Sequence, residues 1–520
     1  MPVRPYRCGY RVTSYFTRIF VHHRKQCVAI ILPRVQQHFS IPDHLVGLLS
    51  SSIFAGMTLG AIFWGVLSDT RGRKLAFNWT LGITATFGLL SSVAPGFVSL
   101  CAMLFCLGFG VGGNMPVDGA LFLEFIPTEH QYLLTFMSVF FSLGAVLSSF
   151  LAFLILPSHS CQLPNTCDPA VENNGWRFLL LTLGFLTLAM VLARLIFFRL
   201  QESPRYLLAS RRKRDALMVL RTIIRINGSD LVIDTKDLPD PFDLPPPRSN
   251  PSTSTTADLH SHDPFDSVEG ELDVNTDSPI LSPDLKPINF GSVSPSDSTA
   301  RVLGARLRGL FSLRALRPLF VPRWRRTTLL VFGIWALTSM GFTMFNVFLP
   351  KYLEQIGEGG EQDDSGSILS GKVYWEFLVY SAAGVPGSLL ASYLVETGLG
   401  RRGTMILSSL GSALSLLLFS TGLHPATASA LLSFLATVLY AVIYGYTPEV
   451  FDTRLRGTAT GAASALGRIA GIASPMVSGW LLAAAGGRLW VPLYASAVAF
   501  VGVAACVSGL AIETKGRSVK

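Results

Sequence analysis

A chain of 520 residues that is 50% hydrophobic and 14% charged, with a mean hydropathy of +0.45, is too apolar for a water-soluble domain. Its formal net charge of +9 raises nucleic acid as a partner, but the basic residues cluster beside apolar runs of membrane-spanning length, where positive charge faces the cytoplasm. Composition therefore argues against a soluble protein and against nucleic-acid binding, and predicts an all-α integral membrane protein.

Residues 1–44 carry Arg4, Arg7, Arg11, Arg18, Arg24 and Lys25 without an apolar run able to cross about 30 Å of hydrocarbon. The piece VAIILPRVQQHF, 28–39, reads as the last turns of a first helix whose beginning is absent. A truncated first helix is the favoured reading. The alternative is an amphipathic or targeting segment, Arg-rich and lacking an acidic residue before Asp43.

Eleven full spans follow, near 45–67, 75–95, 97–123, 131–157, 176–199, 327–349, 372–395, 403–422, 425–448, 456–483 and 488–511. Basic residues fall after the first span, in 211–214, in 301–326, at Arg401 and Arg402, at Arg454 and Arg456, and at Lys515 and Arg517. With loops alternating sides, all of these face the cytoplasm. The expected organisation is a basic N-terminus (1–44), a helical bundle (45–200), a cytoplasmic linker (201–326), a second bundle (327–512) and a cytoplasmic tail (513–520).

The middle of the linker, 228–300, is rich in Pro, Ser and Asp and poor in large apolar residues, so it is expected to be disordered. Ser-Pro steps at Ser278, Ser282 and Ser294 are candidate phosphorylation sites, although a plain tether is the simpler reading. The Arg-rich segment 301–326 suits an anionic inner leaflet.

The two bundles repeat each other. Glu124 and Thr128 are echoed by Glu449 and Thr453 at one constant spacing, and Asp69 and Arg73 by Glu396 and Arg401 at nearly the same one. The loop GVLSDTRGRK, with Gly65, Asp69, Gly72, Arg73 and Lys74, resembles the signature loop between helices two and three of major facilitator superfamily transporters. QESPR (201–205), TPEVFDTRLRGTATG (447–461) and ETKGR (513–517) are similar to motifs of the sugar-porter and synaptic-vesicle-protein-like branches, with most likeness to fungal general-substrate members. The resemblance implies two pseudo-symmetric six-helix bundles that rock about a central site, with loop charges latching the outward-open state. It assigns gating, not substrate contact, to the signature-loop residues and to Glu124, Glu202, Arg205, Glu396, Arg401, Glu449, Arg454, Arg456, Glu513 and Arg517. Solvated charges that only set topology are the plain alternative for many of them.

Ionisable groups inside spans are candidates for substrate or proton handling. Asp118 lies about 9 Å of helical rise inside the boundary set by Glu124, beside Asn114 and Pro116; Arg468 lies about 18 Å beyond Arg456, near mid-membrane. A buried Asp118–Arg468 ion pair is the structural alternative for both. Asn346 and Tyr444 are weaker candidates, with Trp335, Tyr440 and Glu376 behind them, since aromatic residues in spans more often pack or anchor.

Cys161 and Cys167, in CQLPNTC, face the non-cytoplasmic side, where a disulfide is feasible. No metal-ligand spacing, nucleotide motif or catalytic pairing stands out, so neither cofactor, metal nor enzymatic activity is expected. The sequence thus predicts a secondary active transporter of a small polar organic solute, proton-coupled, monomeric and in the plasma membrane. An exporter or facilitator, and a non-transporting receptor or inactive truncated carrier, remain as alternatives.

Overall fold

The computed structural model describes residues 27–125, 139–160, 168, 172–197, 202–209, 212–226, 233–238, 317–358, 366–422, 424–451, 456–486, 488 and 490–513. For residues 114–125 and for Asp69, Arg73, Arg205, Glu396 and Arg456 the description is of backbone alone. The fold is all-α. Its first bundle comprises α1 (27–39), α2 (Asp43–Arg71), α3 (Arg73–Leu90), α4 (Phe97–Phe125), α5 (Val139–Ile155) and α6 (Gly175–Phe197). Two short helices, α7 (Pro204–Ala209) and α8 (Lys213–Ile226), follow in the region expected to be linker. The second bundle comprises α9 (Pro322–Glu358), α10 (Gly366–Glu396), α11 (Gly400–Ser420), α12 (Pro425–Val450), α13 (Arg456–Ala484) and α14 (Trp490–Ser508).

Among the described residues, eight helices are long and apolar enough to cross a membrane, where the sequence predicted eleven. The other three expected spans are present as the helices α3, α4 and α5. Arg73, Lys74 and Asn78 dilute the apolar character of α3. For α4 and α5 the stretches described with side chains are Phe97–Gly113 and Val139–Ile155, since 114–125 are placed by backbone alone and 126–138 lie outside the described residues. Residues 1–26, on which the truncation of the first helix turns, lie outside the described residues, as do most of the linker and residues 514–520.

The first bundle is drawn together by glycine. A Cβ placed on Gly56, Gly60, Gly108 or Gly112 would collide with a backbone carbonyl of the facing helix, so α2 and α4 meet main chain to main chain. In hydrocarbon this close approach supplies the dispersion contact that a hydrophobic effect cannot. α2 ends at Gly72, whose φ of 104° is open to glycine and strained for other residues. In α11 the hydroxyls of Thr404, Ser408 and Ser412 each donate to the carbonyl four residues earlier at 2.7 Å, so this serine-rich helix buries its polar side chains without an outside partner.

Among the described residues, the bundles meet along α2 with α13 and along α5 with α10. Ser51 of α2 donates to the Ile472 carbonyl of α13 at 2.7 Å, and Gly47 faces the Pro475 carbonyl too closely for any side chain. On the other flank, the hydroxyls of Ser149 in α5 and Ser381 in α10 lie 2.7 Å apart. The α8 helix, by contrast, packs locally: Ala216 and Val219 bury against Leu207 of α7.

Candidate functional site

Arg468 sits near the middle of α13 and reaches across the seam, where Nη1 donates to the carbonyl of Met57 at 2.8 Å. Met57 is itself midway along α2. The guanidinium therefore bridges the bundles at mid-membrane through a neutral acceptor, and among the described residues no carboxylate pairs with it. Tyr444 of α12 is close enough to interact with it electrostatically and is 48% exposed despite lying within a span. The Tyr444 ring stands edge-on to Trp335 of α9, centroids 4.8 Å apart, and Trp335 Nε1 is engaged by Thr447 Oγ1 at 2.9 Å. Around this group the helices carry small residues: Gly467 backs onto Trp335, and a Cβ on Gly461 would meet open space.

At the end of the molecule away from Gly72, two ion pairs cross between bundles. Arg34 of α1 contacts Glu354 of α9 at 3.0 Å and donates through Nε to the Tyr374 hydroxyl at 2.9 Å, its backbone carbonyl accepting from Asn173. Lys351, one turn before Glu354, pairs with Asp43 at 2.5 Å and donates to Gln36 at 3.0 Å, while Gln36 donates to the same Asp43 oxygen at 2.6 Å. Sequence reasoning missed this cluster. Its signal was present in the run VAIILPRVQQHF, where Arg34 and Gln36 interrupt an apolar helix, but that run was read as a remnant.

At the opposite end, carboxylates cap helices. Glu513 accepts from the backbone N–H groups of Arg401 and Arg402, both at 3.1 Å, at the N-terminus of α11. Arg401 also forks onto Glu449 of α12, with contacts of 2.6 and 2.7 Å. In the first bundle Glu202 takes the corresponding place, its oxygens 3.3 and 3.4 Å from the Lys74 amide at the start of α3. An acid at a helix N-terminus satisfies orphan donors and opposes the positive end of the helix dipole. These described contacts run between elements of the same half of the chain, whereas the Arg34 and Lys351 pairs join the two bundles.

Of the sequence candidates, Arg468 and Tyr444 come together, while Asn346 does not join them. Its Oδ1 accepts from the Tyr380 hydroxyl at 2.9 Å, about 16 Å of helical rise beyond Trp335 along α9. Asn114, Asp118 and Glu124 lie on the α4 backbone, with side chains outside the described residues. Gly112 faces Met57, so the Asp118 backbone is about 9 Å further toward the Gly72 end than the Arg468 contact. Gly65 has open space around its Cα. Asp69, Arg73, Arg205, Glu396 and Arg456 are placed by backbone alone, and Arg454, Arg517, Cys161 and Cys167 lie outside the described residues.

A family profile described as Major Facilitator Superfamily matches residues 15–375 and 331–518. The chain belongs to the major facilitator superfamily. An uncharacterised MFS-type transporter of Schizosaccharomyces pombe is 33% identical over 470 residues, covering 89% of this chain and 76% of that one. The synaptic vesicle 2-related protein of Rattus norvegicus is 26% identical over 513 residues, 95% of this chain and 76% of the relative. The fold is that of the xylose transporter XylE from E. coli in a partially occluded inward-open conformation, with a TM-score of 0.63 at 14% identity and 98% coverage of both chains. As a major facilitator protein the chain is a multi-pass secondary transporter and not an enzyme.

Proposed function

We propose that this transporter moves a small polar organic solute by alternating access, driven by the proton gradient, as a monomer in the plasma membrane with the Gly72 loop and the C-terminal tail in the cytoplasm. The observation that carries the reading is Arg468, a cation at the bundle seam in mid-membrane beside a half-exposed tyrosine. A charge there is expensive unless a cavity, an ion or a substrate meets it. Two classes of contact suit the cycle. Pairs that cross the bundles, Arg34–Glu354 and Asp43–Lys351, hold one end shut. The helix-capping acids Glu202 and Glu513 stiffen the other end within each bundle.

Asp118 is the proposed proton carrier, placed on α4 between the level of Arg468 and the cytoplasmic boundary. The test is uptake into proteoliposomes containing the full chain, using pools of sugars, organic cations and carboxylates with and without an inward proton gradient. Gradient-dependent accumulation that is lost in Asp118→Asn is the expected result. Equal uptake with and without the gradient would leave a facilitator, and absence of transport from every pool would favour the receptor reading.

A further inference from the structure

We propose that the solute is a small organic carboxylate with an apolar body, its carboxylate docked on Arg468 and its body on Tyr444. The proposal deepens the reading of the central site and rests on it.

A guanidinium presents five N–H donors in a planar fork. Here Nη1 is engaged by a backbone carbonyl, which is neutral and supplies no counter-charge. Among the described residues no other hydrogen bond and no ion pair involves Arg468, and the remaining donors of its fork are the proposed ligand contacts. A carboxylate matches that fork in two parallel bonds and neutralises it in a medium where an isolated charge is costly.

The neighbouring wall has the complementary chemistry. Tyr444 is half-exposed and fixed edge-on against Trp335, whose indole N–H is already engaged by Thr447. The two edge-on aromatic rings supply apolar surface beside the cation, the side suited to the body of the solute. Gly467, next to Arg468 in the chain and drawn against Trp335, keeps α13 slim at that level.

The experiment measures binding, not transport. The purified full chain is titrated with benzoate, lactate, succinate, benzamide and xylose, following intrinsic tryptophan fluorescence and thermal unfolding. At least one carboxylate is expected to bind and stabilise, with benzamide and xylose weaker by tenfold or more, on the order expected for losing one charge-assisted pair. In Arg468→Gln the carboxylate Kd rises about 30-fold or more, and in Arg468→Lys, which keeps the charge but loses the fork, it rises less. Equal binding of benzoate and benzamide by the wild-type chain overturns the proposal without relying on any variant. So does xylose binding with none of the three carboxylates, or wild-type carboxylate affinity in Arg468→Gln. Tighter benzoate binding in Asp118→Asn also overturns it, because Asp118 would then already occupy the guanidinium. Carboxylate binding without gradient-driven uptake would sink the proton-coupled carrier and leave this proposal standing, whereas driven uptake of a neutral solute alone would do the reverse.

Discussion

Replacing Glu354 by Gln should open the molecule at the end away from Gly72. The Arg34 and Glu354 side chains are only 7% and 18% exposed and lie 3.0 Å apart, so the amide removes the carboxylate charge beside a nearly buried guanidinium. Removing one partner of such a pair costs about 3–5 kcal/mol. The bonds that Arg34 keeps to Tyr374 and Gln37 offset part of this, leaving about 2–3 kcal/mol. In the state where the bundles part at this end, water solvates both groups and the penalty disappears. The variant therefore shifts the equilibrium toward that state by about 30- to 150-fold. The reporter is Ser51→Cys, in a chain with its seven native cysteines replaced, since Ser51 is 5% exposed within the α2–α13 seam. A membrane-impermeant maleimide applied to intact cells should label it at least about tenfold faster in the Glu354→Gln chain than in the chain that keeps Glu354. Glu354→Asp, which retains the carboxylate, should change the rate by less than about threefold. Equal labelling rates in the Gln and Glu backgrounds, for chains that elute as the same monodisperse species, would refute the latch.

Four further outcomes follow from the packing and the placed charges. Gly112→Ala drives a Cβ into the Met57 carbonyl and should destabilise the chain by about 1–3 kcal/mol, seen as earlier loss of the monodisperse peak on heating in detergent. Gly82→Ala, at a helical position with nothing within 4 Å, is the matched control and should leave that temperature unchanged or raised. Glu513→Gln removes the charged cap from the Arg401 and Arg402 amides, and their hydrogen exchange should quicken by about tenfold, in line with a cap worth about 0.5–2 kcal/mol. Asp43→Asn should act like Glu354→Gln in the labelling assay but more weakly, because the Asp43 side chain is 35% exposed and solvent already screens its pair with Lys351.

Much of this fold was legible because a membrane imposes length and charge rules that a sequence displays directly. Runs such as 425–448 declare spans by apolar length, and the echo of Glu124 in Glu449 points to duplication. Arg468 could be singled out because arginine in a span is rare enough to demand a reason. The count of spans was less legible. α3 opens on Arg73 and Lys74 and carries Asn78, so it is a helix of the bundle without meeting the apolar standard of a span. The Arg34 cluster stayed hidden because its partners are far apart in the chain. Nothing in the sequence links Arg34, Asp43, Lys351, Glu354 and Tyr374, and only the meeting of α1 and α2 with α9 and α10 turns them into pairs. The bond from Arg468 to a backbone carbonyl has no sequence trace at all, since any residue at position 57 supplies the same oxygen.

The placement of the charges suggests how a single seam holds two states. Seen from Met57, at the midpoint of α2, the α2–α13 contact is closest toward Asp43: Ser51 bonds the Ile472 carbonyl, Gly47 touches Pro475, and a Cβ on Gly479 would meet the Asp43 carbonyl. Toward Gly72 the same seam offers Gly65 and Gly461 facing open space. Two cross-bundle ion pairs reinforce the closed end, and if nothing opposed them the carrier would rest there permanently, because a ligand can shift an equilibrium only by its differential affinity for the two states. The opposing contribution must come from the other end, where Glu449 and Glu513 already hold Arg401 and the α11 amides within the second bundle. On the proposed alternating-access cycle, the α2–α3 connection of the first bundle would approach that preformed acidic corner. Its basic residues Arg73 and Lys74 would then be the partners offered as the Arg34 and Lys351 pairs open. Arg468 lies between the two ends, near the middle of its helix, so its bond to Met57 is the contact least stretched by rocking in either direction. A ligand seated there can be held throughout the motion while the ends exchange their pairs.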